Sequence, residues 1–436
     1  MSDTAFGLVG LSALFILLAL RMPVALAMAL VGVVGFGIMN GWGPAVSMLA
    51  DEAFVISNNY ELIVIPLFIL MGNFASTSGM SRDLYNAAYA WFGHWRGGLA
   101  SATIAACAGF AALSGSSVAS AVTMGRVSLP EMKRFDYDSK LATGCIAAGG
   151  TLGILIPPST GFIIYAILTE ESIGRLFLAG VFPGILLAVL FMITIYIQTR
   201  INPKLGPAGP RSPMRDKVKT LSQATAMVFI VVVTIGGIYG GVFTPTEAAA
   251  VGAMLSFLLT LVRRRLTWNN LSDILLQTIR TTGLVFLILI GAHVFNPFLA
   301  LTHIPDDLAS LLIGADLSPH LVMLILMAAY IVLGSFLEGF AMLVLTLPIV
   351  HPMIIELGFD PIWFGVLIVI IIEIGLITPP VGVNVFVVKG IAGDVPLRDI
   401  FAGVIPFWFA MMACILILMA FPEIALFLPN TMIQSN

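Results

Sequence analysis

The stretch Gly149–Ser159, GGTLGILIPPS, places two consecutive prolines inside a long apolar segment. Proline has no N–H, so Pro157 and Pro158 are expected to leave the carbonyls of Gly153 and Ile154 without their helical donors. In a lipid bilayer, unpaired backbone groups are tolerated only where they line a cavity or bind something. The stretch therefore predicts a broken membrane helix with a functional role.

A second stretch, Gly375–Asn384, GLITPPVGVN, repeats the pattern almost one half-chain later. Its prolines, Pro379 and Pro380, predict unpaired carbonyls at Gly375 and Leu376. Interrupted helices at corresponding positions of two halves indicate the binding site of a transporter.

The composition is that of an integral membrane protein. Of 436 residues, 59% are hydrophobic and 10% are charged, and the mean hydropathy is +1.05. So few polar residues could not cover a water-soluble globule of this size. The first apolar segment has no basic leader and no clear cleavage site, so we expect a retained span within the lipid bilayer. The net charge of −3, without a basic patch, gives no indication of nucleic acid binding.

Spans of about 20 apolar residues divide the chain into two similar halves. The halves are predicted at 1–200 and 221–436, joined by a basic, proline-rich linker at 201–220. The first half should contain scaffold helices within 4–79 (near 4–20, 24–40 and 61–79), an interfacial arm at 81–96, a re-entrant hairpin at 98–130, a broken helix at 139–169 and a helix at 175–199. The second half should contain scaffold helices within 222–300, an arm at 304–316, a hairpin at 319–352, a broken helix at 360–392 and a helix at 398–427.

A constant offset relates the halves. Pro157 and Pro379 lie 222 positions apart, and so do Pro130 and Pro352. Each half has an odd number of crossings, which inverts the second half, and the positive-inside rule makes the basic linker cytoplasmic. The predicted fold is an all-α polytopic membrane protein with about ten transmembrane helices, two re-entrant hairpins and two broken helices. Both hairpin tips should meet both breaks near the membrane midplane.

The first predicted site lies where the tip of the first hairpin faces the first break. A helix C-terminus favours a cation, and hydroxyl and carbonyl oxygens suit Na⁺ better than a transition metal. The alternative is that small residues here only allow close helix packing. The expected donors of sodium site 1 are Ser114, Gly115, Ser116, Ser117, Gly153, Ile156 and Pro157.

The second predicted site mirrors the first, with Gly334, Glu338, Gly339, Thr378, Pro379 and Val381 as sodium site 2. An ionisable residue in mid-membrane is costly and usually functional, so Glu338 could bind an ion, carry a proton or position water. The alternative is a carboxylate that reaches a water-filled mouth. Candidate substrate-binding residues are Ser116, Ser159, Glu338 and Asn384.

Two further acidic residues have structural explanations in the sequence. Thr244, Pro245 and Glu247 form the pattern of a capping box, which helix stability explains. Glu373 lies about one turn before the second break and could pair inside the helix bundle.

Several longer motifs resemble those of one family: Ala112–Ser120 (ALSGSSVAS), Gly149–Ser159, Gly240–Ala253 (GGVFTPTEAAAVGA), Phe336–Pro352 (FLEGFAMLVLTLPIVHP) and Ile377–Asn384. With them, the chain resembles the large membrane subunit of a tripartite ATP-independent periplasmic (TRAP) transporter, the DctM-like family, from its first helix to its last. One departure is Glu338, where many relatives carry aspartate.

The resemblance implies an elevator mechanism driven by a Na⁺ gradient in a bacterial inner membrane. It also implies two partners, a small four-helix membrane subunit (DctQ-like) and a soluble periplasmic binding protein (DctP-like) that delivers an organic acid.

The expected function is thus Na⁺-coupled import of a small carboxylate fed by a binding protein. The alternative within the same fold is a stand-alone Na⁺-coupled dicarboxylate or citrate-type symporter. An intramembrane enzyme or a channel is a further alternative, because broken helices also line pores. The sequence has no convincing hydrolase triad, no HExxH and no phosphate-binding loop, so enzymatic or ATP-driven activity is not expected.

Overall fold

Helix breaks organise the fold. The computed structural model describes residues 2–304, 307 and 317–432, and within them the chain forms 19 α-helices, two short 3-10 helices and no β-strand. The helices of the first half are α1 (Asp3–Ala19), α2 (Val24–Asn40), α3 (Trp42–Ser57), α4 (Val64–Thr77), α5 (Met80–Phe92), α6 (Gly98–Ser114), α7 (Ser117–Arg134), α8 (Ser139–Leu155), α9 (Thr160–Thr169) and α10 (Ile173–Ile201).

The second half continues with nine helices in the described residues. They are α11 (Met214–Tyr239), α12 (Pro245–Val262), α13 (Trp268–Leu301), α14 (Pro319–Gly334), α15 (Gly339–Glu356), α16 (Pro361–Gly375), α17 (Val383–Ala392), α18 (Leu397–Ala420) and α19 (Glu423–Thr431). The predicted arm at 304–316 lies almost wholly outside the described residues.

Seven helical segments among the described residues are long and apolar enough to cross a bilayer, and the pair α8 and α9, bent by 40° at its break, adds an eighth. The all-α membrane fold is therefore confirmed, while about ten spans and re-entrant hairpins stay predictions. The seven are Tyr60–Thr77, Ile173–Ile201, Met214–Tyr239, Pro245–Val262, Trp268–Leu301, Gly339–Glu356 and Leu397–Ala420.

The structure contains a helix, α3, that was not among those expected in the first half. Its 16 residues include Asp51 and Glu52, so it does not form the uninterrupted apolar run by which the spans were identified. It packs against α2 and α13. The scaffold region within 4–79 thus holds four α-helices.

Three other boundaries differ from expectation. Helix α11 begins at Met214, so the non-helical part of the linker is shorter than 201–220. The amphipathic segment after Trp268 continues into the following span as the single 34-residue helix α13. The last helix is interrupted at Phe421 and Pro422, where proline removes a backbone donor.

The start of α12 confirms the expected capping box. Thr244 Oγ1 accepts a hydrogen bond from Glu247 N at 3.3 Å, and Glu247 Oε2 accepts one from Thr244 N at 2.8 Å. Pro245 occupies the first helical position.

The scaffold contacts are reciprocal between the halves. Helix α2 packs against α13, and α12, which follows α2 by the 222-residue offset, packs against α4. Glycines allow the α2–α13 contact, since a Cβ at Gly32 would lie 2.5 Å from Val294 O and one at Gly291 would lie 2.5 Å from Ala25 O. Small residues of this kind let membrane helices approach closely.

A second set of reciprocal contacts surrounds the breaks. Helix α17, which follows the second break, packs on α7, and α9, which follows the first break, packs on α15. Helices α8 and α16 lie at the centre, with every residue from Leu141 to Leu155 and from Ile362 to Gly375 buried. Each half thus contributes to the surroundings of the other half's break.

Candidate cation and substrate site

The first tip is a sharp turn between α6 and α7. Gly115 has φ of +59°, a left-handed conformation that favours glycine at a helix C-terminus. Ser116 is extended, and its Oγ accepts a hydrogen bond from Ala119 N at 3.3 Å. Ser116 is thus the N-cap of α7, and Ser117 occupies its first helical position. The hydroxyl of Ser114 is hydrogen-bonded to that of Ser120 at 2.7 Å.

The first break lies directly against this tip. The carbonyl oxygen of Gly115 accepts a hydrogen bond from Thr160 Oγ1 at 2.9 Å. A Cβ on Gly153 would lie 2.5 Å from Ser116 O and 2.7 Å from Ser120 Oγ. The predicted residues of sodium site 1 are therefore brought together, with Ile156 and Pro157 in the break itself.

Ser159, a predicted substrate residue, caps α9. Its Oγ accepts from Phe162 N at 3.2 Å, and the residue is fully buried. Its hydroxyl is thus engaged by the helix that it begins.

The unpaired carbonyls differ between the two breaks. Among the described residues, no backbone hydrogen bond reaches the carbonyls of Gly153 and Ile154. At the second break the expectation is wrong, because Gly375 O accepts from Thr378 N at 3.1 Å and Leu376 O accepts from Asn384 N at 3.0 Å. The second break is longer, so the chain turns back and supplies donors on both sides of its prolines.

The second tip joins α14 to α15. Glu338 is the N-cap of α15, and its Oε2 accepts from Ala341 N at 3.1 Å. The residue is exposed in this chain. A carboxylate at a helix N-terminus is favoured by the helix dipole, so capping accounts for this contact.

The second tip contacts the second break through glycine. A Cβ on Gly375 would lie 2.5 Å from Gly334 O, and one on Gly339 would collide with Ile372. Thr378 Oγ1 donates to Ile374 O at 2.6 Å. Pro379 and Val381 lie in the break, where Val381 is exposed. Gly153 and Gly375, 222 positions apart, therefore make equivalent contacts with the two tips.

One hydrogen bond joins the two halves at the first tip. Ser117 Oγ donates to Glu373 Oε2 at 2.6 Å, and both residues are 1% exposed. The sequence indicated that Glu373 could pair inside the bundle, but its partner depends on the tertiary packing of α7 beside α16.

Asn384 is fully buried, and within the described chain neither its side-chain oxygen nor its nitrogen has a hydrogen-bond partner. A buried amide without partners costs about 1–3 kcal/mol. Such a side chain is a strong candidate for contact with water or a ligand.

Sequence reasoning missed two hydroxyl groups at the first tip. Thr160 directly follows Ser159, and Ser120 lies one helical turn after Ser116. Polar residues at the starts of the two half-helices were the available signal. Within the described residues, no three His, Cys, Asp or Glu side chains cluster to hold a metal ion. The donors at the tips are hydroxyls, carbonyls and single carboxylates, a set that fits Na⁺.

The fold of this chain is similar to that of solved membrane proteins. Two solved transporters share the fold. One is the crystal structure of YdaH from Alcanivorax borkumensis (TM-score 0.59, 13% identity, 88% of this chain and 90% of that one). The other is MtrF from Neisseria gonorrhoeae (TM-score 0.57, 14% identity, 90% and 85%).

Sequence similarity is more specific. The chain is 40% identical to the C4-dicarboxylate TRAP transporter large permease protein DctM of Pseudomonas aeruginosa over 387 residues, 88% of this chain and 90% of the relative. It is 32% identical to the sialic acid TRAP transporter large permease protein SiaM of Vibrio cholerae, over 99% and 98% of the two chains. It is also 32% identical to the ectoine TRAP transporter large permease protein TeaC of Halomonas elongata, over 94% and 96%.

A family profile, that of the tripartite ATP-independent periplasmic transporter DctM component, matches residues 11–424. These relatives are transporter permeases, as the sequence motifs indicated. The chain is therefore a multi-pass membrane protein that belongs to the DctM family of TRAP transporter large permeases.

Proposed function

We propose that this protein imports a small organic acid by coupling its movement to the entry of Na⁺. The observation that carries the proposal is the first tip, where the bonded hydroxyls of Ser114 and Ser120 lie against Gly153 of the first break, whose carbonyl accepts no backbone hydrogen bond among the described residues. These are hard, mostly neutral oxygen donors, which suit a monovalent cation. The second tip supplies a second cation site with fewer free carbonyls, in which Glu338 adds a charge.

The substrate site is proposed beside the N-termini of α7 and α17. Backbone N–H groups at a helix N-terminus favour an anion. Asn384 lies at the start of α17 with a buried amide that lacks a protein partner. A substrate carboxylate accepts hydrogen bonds both from backbone N–H groups and from a side-chain amide. The named substrates of the relatives include C4-dicarboxylates, sialic acid and ectoine, and we place this protein's substrate among small carboxylates.

The division of the helices into two sets of reciprocal contacts supports an elevator movement. Helices α2, α4, α12 and α13 pack on one another as the scaffold, while α7, α9, α15 and α17 pack across the breaks. A cavity of about 830 Å³ lies between them, lined by residues of α3, α9, α12 and α13, including His293 and Glu247. Sliding of the second set along the scaffold would expose the substrate site on alternate sides.

Two partners complete the proposed transporter in a bacterial inner membrane, with the linker in the cytoplasm. A small four-helix subunit would extend the scaffold, and a periplasmic binding protein would deliver the acid. Membership of a tripartite family favours this assembly over the stand-alone symporter.

The test is reconstitution of the chain in liposomes with both partners. The acid would first be identified as the ligand that co-purifies with, or thermally stabilises, the binding protein. Uptake of that labelled acid should require the binding protein and an inward Na⁺ gradient. Equal uptake when the binding protein is omitted would favour the stand-alone symporter, and a K⁺ gradient that serves equally well would refute Na⁺ coupling.

A further inference from the structure

Glu373 is a buried carboxylate that the proposed cation and substrate sites do not use. It lies on α16, one turn before the second break, and is 1% exposed. Its Oε1 atom is buried and has no hydrogen-bond partner in the described residues. None of the ion pairs present in the described chain involves Glu373. A buried carboxyl group keeps its charge only where a cation or hydrogen-bond donors compensate it, and otherwise takes up a proton.

Among the described residues, the single side-chain hydrogen-bond partner of Glu373 is a residue of the first tip. Ser117 Oγ donates to Glu373 Oε2 at 2.6 Å, a short hydrogen bond between a hydroxyl and a carboxyl group. The bond connects residues 256 positions apart, from different halves of the chain. It therefore brings a carboxyl group of the second half to the tip of the first.

This bond fixes the orientation of the Ser117 hydroxyl. A serine hydroxyl has one hydrogen and two lone pairs. Because the hydrogen is directed to Glu373, the lone pairs are left for another partner. A carboxylate that accepts from a ligand group also raises the electron density on that ligand, as second-shell carboxylates do at metal sites.

The equivalent position in the first half is Thr151, 222 residues earlier. Its hydroxyl donates to Ala148 O within its own helix. The second tip therefore receives no carboxylate from α8, and the Glu373 contact distinguishes the first site from the second.

We propose that Glu373 is a positioning residue for the first cation site: it holds the Ser117 hydroxyl so that Oγ faces Na⁺, and its charge acts on the cation through that hydroxyl. This inference rests on the proposed Na⁺ coupling. Glu373→Gln keeps an oxygen that can accept from Ser117 but removes the charge.

The test measures binding of ²²Na⁺ to the full chain, purified with its small subunit. We expect Glu373→Gln to weaken Na⁺ binding about tenfold or more, the usual effect of removing a second-shell partner. The exposed carboxylate Glu356 supplies the matched control, since Glu356→Gln should leave Na⁺ binding unchanged. The melting temperature in KCl should be similar for wild type and Glu373→Gln.

A double-mutant cycle distinguishes positioning from general stabilisation. If Glu373 acts through Ser117, the Glu373→Gln change should have little further effect in a Ser117→Ala background. Additive effects, or wild-type Na⁺ affinity in Glu373→Gln, would overturn the inference. If Glu373→Gln does not fold, Glu373→Asp, which keeps the charge but withdraws it by one methylene, should also weaken binding.

Failure of the two proposals would look different. Wild-type protein that binds no ²²Na⁺ would refute the Na⁺ coupling itself. Wild-type binding that Glu373→Gln leaves unchanged would refute only the role of Glu373.

Discussion

At the scale of single residues, side chains that begin a helix were predictable and their distant partners were not. Ser116 and Thr244 stand in local patterns that capping rules identify, and the structure places both at N-caps. The contacts of Thr160 with Gly115 and of Glu373 with Ser117 join residues 45 and 256 positions apart. Such pairs arise from helix packing, which local sequence does not encode.

Asn384 gives a prediction that separates stability from transport. Because no described residue pairs with its buried amide, Asn384→Leu should preserve or raise the melting temperature, while uptake should fall at least tenfold. Removal of an unsatisfied buried polar group avoids a cost of about 1–3 kcal/mol. Thermal unfolding and uptake in proteoliposomes measure the two quantities. A large loss of stability, or normal uptake, would contradict a substrate-binding role.

Gly153 and Gly375 give a second residue-scale prediction. An alanine Cβ at either position would lie 2.5 Å from a backbone carbonyl of the facing tip, so the tip must move. We expect Gly153→Ala and Gly375→Ala each to lower the free energy of unfolding by about 1–3 kcal/mol. Each should also weaken the Na⁺ dependence of uptake. Gly283→Ala is the control, since nothing lies within 4 Å of its Cβ. Wild-type Na⁺ dependence in both test variants would show that these contacts do not shape the sites.

At the scale of elements, the breaks were predictable but their hydrogen bonding was predictable only in part. The absence of donors at Pro157 and Pro379 follows from covalent structure. The donors that Thr378 and Asn384 supply to the second break depend on how seven residues, 376–382, turn between α16 and α17. Helix α3 was not predicted, because its acidic residues interrupt the apolar pattern of a helix that tertiary packing stabilises.

The bond between the first tip and α9 predicts an element-scale effect. Thr160→Val removes the hydroxyl that donates to Gly115 O and should lower the free energy of unfolding by about 1 kcal/mol. It should also weaken ²²Na⁺ binding, because the tip is held less firmly to α9. Thr151→Val is the matched control, since its hydroxyl bonds only within α8. Equal ²²Na⁺ binding by the two variants would mean that the bond between tip and break is not needed.

At the scale of the whole molecule, the 222-residue offset found in the sequence relates the reciprocal helix contacts, whereas the predicted orientation in the membrane rests on charge. The pairs α2–α13 and α12–α4 follow from one internal symmetry. The basic linker sets the predicted orientation through the positive-inside rule. The choice of acid is not readable from this chain, because the binding protein is expected to perform much of the selection.

Cysteine labelling tests this orientation. The three native cysteines, Cys107, Cys145 and Cys414, are buried, so background labelling should be low. Ala208→Cys, in the exposed linker, should react with an impermeant thiol reagent only from the cytoplasmic side. Val242→Cys, exposed between α11 and α12, should react only from outside. The reverse pattern would overturn the proposed orientation.

In the proposed transporter, each tip and the break it faces form one of two Na⁺ sites that drive uptake. The most direct measurement is the initial rate of uptake against external Na⁺ in proteoliposomes containing all three components, with choline replacing Na⁺ at constant ionic strength. Two coupled sites predict a rate that rises more steeply than first order in Na⁺ and that vanishes in choline. An uptake rate that is independent of Na⁺, or that rises with external Na⁺ as a simple hyperbola, would contradict two coupled Na⁺ sites.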